Sequence, residues 1–63
     1  MEELMNWAHD LIQGYLPDLE LNGPLTAADI ACFLRDRYYD TFSEGTTQEV
    51  RDVLLIVAQD YAP

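Results

Sequence analysis

Near one end of this chain lies the stretch that any fold has to accommodate: Thr47 to Tyr61, reading TQEVRDVLLIVAQDY. From Val53 to Ala58 every residue is apolar. Wound as an α-helix, Val50, Val53, Leu54, Val57 and Tyr61 share one face at the i, i+3, i+4, i+7 spacing. Leu55 and Ile56 point away from that face. A helix apolar on nearly every side needs cover on more than one of them. Either the rest of the chain supplies that cover or a second copy does.

The rest of the chain is short. Its 63 residues allow one domain, residues 1–63, and a domain of that size buries only about 60 % of its unfolded surface. Cys32 is the sole cysteine, which excludes an intrachain disulfide. His9 and Cys32 together are too few for a four-ligand zinc site. Helix packing therefore has to carry the core, with oligomerisation as an aid. Without a disulfide framework, a reducing, cytoplasmic setting is expected. The opening MEELMNWAHD is acidic where a secretory leader would be basic. The longest apolar run, Val53 to Ala58, falls far short of the ~20 residues of a membrane span. An apolar fraction of 49 % argues equally against disorder.

Periodicity and punctuation predict an all-α fold: a small three-helix bundle with helices over about residues 2–16, 26–42 and 47–61. In the first, Leu4, Trp7, Ala8, Leu11 and Tyr15 form a stripe that Met5, Ile12 and Leu16 widen. Glu2 and Glu3 suit the positive end of its dipole. Pro17 is expected to stop it, because the residue before proline avoids the α region. A long extended connector, Pro17 to Leu25, should then turn at Asn22-Gly23-Pro24 and lay Leu19, Leu21 and Leu25 over the helices. Thr26 with Asp29 is a capping-box pattern that opens the second helix, with Leu25 stapling against Ile30. Ile30, Phe33, Leu34, Arg37 or Tyr38, and Phe42 make its inward stripe. Gly45 is the expected left-handed stop. Thr46 with Glu49 repeats the capping spacing, with Thr47 competing as N-cap. The short link between the last two helices predicts an αα-hairpin.

Twelve acidic residues stand against three arginines, Arg35, Arg37 and Arg51, and there is no lysine, for a net charge of −9. That balance argues against direct nucleic-acid binding, which needs cations to neutralise phosphates. It argues equally against an anionic membrane surface. A basic protein partner would be steered in over long range. Leu25 to Ala31 looks like the opening of a helix-turn-helix, but the helix runs past Arg37 and Arg51 is the one cation on the next, so a DNA-reading role fails on charge.

Few residues suggest chemistry. His9 is the one side chain whose ordinary pKa lies near neutrality, and it reads as a boundary residue. Cys32, on a half-apolar stripe with Ala28, Arg35 and Tyr39, reads as a partly buried, inert thiol. Asp18, Glu20, Asn22, Gly23 and Asp29 fall in the register of a helix–loop–helix calcium site. Its third and twelfth positions carry the wrong acids, and a turn plus a cap explain the same residues. No metal or cofactor is expected. Asp36, Asp40 and Glu44 form a column of acids near the end of the second helix, where negative charge opposes the dipole. Features that work against stability are worth reading for function.

Two functions fit. The first is a small acidic, non-enzymatic protein-binding module: an inhibitor, in the style of a virus-encoded anti-defence protein, that occupies the basic nucleic-acid-binding surface of a partner such as a host nuclease. Asp36, Asp40, Glu44, Tyr39, Asp52 and Asp60 are its expected contact residues, the carboxylates imitating a run of phosphates. The alternative is an assembly module that forms a homodimer through the surplus apolar surface of Cys32, Leu55 and Ile56. An enzyme is not expected, because no nucleophile–base pair or phosphate-cradling loop is visible.

Overall fold

A computed structural model describes residues 2–21, 23 and 25–62. Three helices follow one another, α1 (Glu2–Glu20), α2 (Ala27–Phe42) and α3 (Gln48–Tyr61), in an all-α three-helix bundle. The last helix is the central one. Its backbone packs closely against both α2 and α1, whereas α1 and α2 approach each other at far fewer points. Val50, Leu54, Val57 and Ala58 of α3 are buried with Ala8 and Ile12 of α1 and with Ile30, Ala31, Leu34 and Tyr38 of α2. The residues that α3 cannot cover in this way are those that periodicity sets apart, Leu55 at 40 % exposure and Ile56 at 50 %.

The α1–α2 seam is closed by rings instead of close backbone approach. At one end Trp7 meets Tyr38 and Phe42 edge-on, with centroids 6.2 and 5.4 Å away. At the other end Tyr15 meets Phe33 at 5.5 Å. Large side chains act here as spacers between helices. Because they reach outward to do so, Tyr15 and Phe42 keep 38 % and 45 % of their surface exposed. The expected inward stripes are thus right in direction and too wide at their edges.

Both capping threonines act as expected in kind. Thr26 accepts from the Asp29 backbone N–H, and the Asp29 carboxylate accepts from the Thr26 N–H in return. At the start of α3 the N-cap is Thr47, which accepts from Val50 N–H, so Thr46 does not fill that role. Leu25, the residue before the Thr26 cap, packs on the core.

Three local expectations are overturned. Pro17 does not end α1, which continues to Glu20 with the proline inside it. Leu16 and Leu19, one turn apart, both pack on the core, and that burial outweighs the hydrogen bond that proline removes. The long connector is accordingly short, and Leu21, expected to tuck in, is 82 % exposed. Of the expected turn, Gly23 adopts φ 112°, while Asn22 and Pro24 lie outside the described residues. Finally, the left-handed stop of α2 is Ser43 (φ 56°, ψ 33°), not Gly45, and its N–H donates to the Tyr39 carbonyl. Among the described residues no helix is long and apolar enough to cross a membrane.

Candidate functional site: the outer face of α2 and the aromatic cleft

With Ile30, Ala31, Leu34 and Tyr38 turned inward, the opposite side of α2 presents Cys32, Arg35, Asp36, Tyr39 and Asp40 to solvent. Asp36 and Asp40 stand one turn apart beside Tyr39, which is 62 % exposed. Glu44 does not extend this column. The helix stops at Phe42, the left-handed Ser43 redirects the chain, and Glu44 Oε1 accepts a 3.0 Å hydrogen bond from the Tyr38 hydroxyl. That bond, followed by burial and by the negative charge of Glu44, raises the Tyr38 hydroxyl above its ordinary pKa of 10.0.

The remaining expected contact residues are dispersed. Asp52 accepts from Gln48 Nε2 at 2.7 Å. It lines a shallow α2–α3 groove of about 180 Å³ with Ala31, Arg35, Arg51 and Leu55. Asp60 lies elsewhere, 3.8 Å from His9 Nε2 on the α1–α3 seam. There His9 Nδ1 and the Tyr61 hydroxyl are hydrogen-bonded at 3.1 Å, so His9 ties two helices together. The structure therefore gathers Asp36, Tyr39 and Asp40, places Asp52 on α3 in a groove whose α2 wall is Ala31 and Arg35, and separates Glu44 and Asp60.

Cys32 differs from its expected half-buried state. It is exposed, and its Sγ accepts from Arg35 Nη2 at 3.3 Å. Ala28 and Tyr39 of the same stripe are exposed as well. Ile56 lies between Asp52 and Asp60, one turn from each along α3. As for the calcium register, Asp18 and Glu20 belong to α1, Asp29 closes the capping box, and Asn22 lies outside the described residues. No calcium loop is formed by the residues that are described. Among them, no group of three or more His, Cys, Asp or Glu is placed to hold a metal.

All twelve acidic residues are exposed. Among the described residues none of the three arginines pairs with a carboxylate. Arg35 meets Cys32, and Arg51 donates to the Thr46 carbonyl at 3.0 Å and to Gln48 Oε1 at 3.1 Å. Arg37 places its guanidinium 5.0 Å from the Tyr15 ring and 5.4 Å from the Phe33 ring. The negative charge is left uncancelled in place. It covers the outer faces of all three helices, through Glu3 and Asp10, Asp29, Asp36 and Asp40, and Glu49, Asp52 and Asp60, and does not gather on one flank.

One feature was not legible as a site. Trp7, Tyr38 and Phe42 line a cleft of about 360 Å³ with Leu4 and Val50, and Glu3 and Glu44 belong to the same lining. Periodicity assigns Trp7 and Phe42 simply to the core. The available signal was position: Phe42 is the last residue of its helix, so chain on one side of its ring is missing.

The chain matches no protein-family model, and no curated protein or solved structure is significantly similar to it.

Proposed function

We propose that this chain is a non-enzymatic protein-binding module that engages a basic partner at the surface with which that partner holds nucleic acid, and so acts as its inhibitor. The observation that supports this reading most is the sheath of exposed carboxylates that no arginine neutralises. Uncancelled charge of one sign accelerates encounter with the opposite sign and discourages other partners. Because the carboxylates surround the molecule, they do not imitate a single row of phosphates. In this reading the whole field steers, and the contact falls on the outer face of α2. Tyr39 supplies an exposed aromatic anchor there, flanked by Asp36 and Asp40, and aromatic residues of this kind dominate binding energy when they become buried.

The test is capture by the immobilised chain followed by competition. A genuine partner binds duplex DNA or RNA by itself, loses it when the chain is added, and releases the chain as salt rises. A captured protein that holds nucleic acid and this chain together would overturn the reading. With a partner in hand, Asp36→Lys combined with Asp40→Lys should lower the association rate about tenfold or more at low salt, with little change at high salt. Stopped-flow mixing measures this, and an unchanged rate would remove the α2 face from the contact.

The neighbouring exposure of Leu55 and Ile56 favours a second reading, a homodimer through α3. A two-fold contact centred on Ile56 would bring the Asp52 and Asp60 carboxylates of both copies together, which opposes it. Light scattering across concentration decides between monomer and dimer.

A further inference from the structure

The two ends of the α1–α2 seam are built alike and filled differently. At the Tyr15–Phe33 end the molecule seats its own guanidinium, that of Arg37, against both rings. At the other end three rings meet, Trp7 edge-on to Tyr38 and to Phe42, with Tyr38 and Phe42 tilted against each other 4.7 Å apart. No described cation lies over them. This end is instead an open cleft of about 360 Å³, with Glu3 and Glu44 in its lining.

We propose that this cleft receives an arginine side chain of the basic partner, its guanidinium stacked on Trp7 and Phe42 and paired with Glu3 and Glu44. The proposal rests on the basic-partner reading given above and names the partner group that anchors it. The chemistry selects arginine over lysine. A guanidinium is planar and weakly hydrated, so it loses little on leaving water for a ring face, and its fork can reach two carboxylates at once. An ammonium is compact and strongly hydrated. An acidic or neutral occupant would meet the Glu3 and Glu44 carboxylates without compensation. Tyr38 contributes as a wall: its hydroxyl is already given to Glu44, which holds that carboxylate at the rim.

The test uses an oligoarginine peptide against oligolysine and oligocitrulline, the last having arginine's shape without its charge. Trp7 is the sole tryptophan, so its fluorescence and indole N–H resonance report the cleft directly. Oligoarginine is expected to shift both signals in a saturable way, oligolysine more weakly, and oligocitrulline not at all. Phe42→Leu keeps apolar bulk and removes the ring, and should weaken the arginine response roughly three- to tenfold. Glu3→Gln should weaken it as well, without touching the core. If oligoarginine perturbs residues around Asp36 and Asp40 and leaves Trp7 unmoved, the cleft assignment falls while the basic-partner reading stands. A Phe42→Leu response equal to the parent's also overturns the assignment. If neither cationic peptide binds anywhere on the chain, the basic-partner reading falls first and takes the cleft with it.

Discussion

Tyr38 shows how one side chain can be both wall and lock. It is 8 % exposed in the core, yet its hydroxyl reaches the exposed Glu44, six residues on and past the end of the helix. The folded state holds the phenolic proton more tightly than the unfolded chain does, since the bond to Glu44, burial and the negative charge all favour the neutral form. A raised folded pKa gives stability that is fully present below the unfolded value near 10.0 and is lost as pH rises through the folded value. Thermal melts should therefore fall off above pH 10. Tyr38→Phe should flatten that alkaline limb relative to the parent, and an unaltered limb would show that another group controls it. None of this was legible beforehand. Counting every fourth residue extends the acids from Asp36 and Asp40 to Glu44 only while the helix continues, and the helix stops two residues short. Cys32 and Tyr39 carry the same lesson: an apolar stripe in the sequence is not a buried stripe when no neighbour comes to cover it.

Element existence, by contrast, could be read from the sequence, because three independent signals agreed. Apolar spacing pointed to all three helices, threonine caps to α2 and α3, and one short link to their hairpin, and the caps placed the starts of α2 and α3 within a residue. The ends were harder. Proline and glycine are strong local signals, but Pro17 was outvoted by the burial of Leu16 and Leu19, and Gly45 by geometry that closed two residues earlier. Packing is invisible to a rule that looks at neighbours in sequence. Ser43 consequently carries a backbone conformation that an L-residue adopts at a cost. Ser43→Gly should stabilise the domain by about 0.5–1 kcal/mol, because glycine occupies that region freely and the site is exposed. Urea titration measures the change. A loss of stability would mean that the serine side chain supports the turn in a way its contacts do not reveal.

For the molecule as a whole, compactness and charge oppose each other. The Cα radius of gyration is 10.9 Å, close to the ~10.6 Å expected of a compact chain of this length. Yet the net charge of −9 is held on a surface where every acid is exposed. Self-repulsion then works against the folded state, and screening should relieve it. Melting temperature should rise by about 2–6 °C between low and physiological salt, as read by circular dichroism, and a flat or falling trend would show that local pairs outweigh the field. The arrangement of the helices has a consequence of a different kind, in time. α2 and α3 are neighbours along the chain and make the tightest backbone contact, whereas α1 reaches α3 across the whole length of α2. Closing the nearer pair needs the smaller loop, so the hairpin should form first and α1 should arrive last. Trimming Leu34 should then slow refolding, while trimming Ile12 should mainly hasten unfolding. The departure of α1 would expose the rings that line its seam with α2, so the aromatic cleft is also where the native molecule would first come apart.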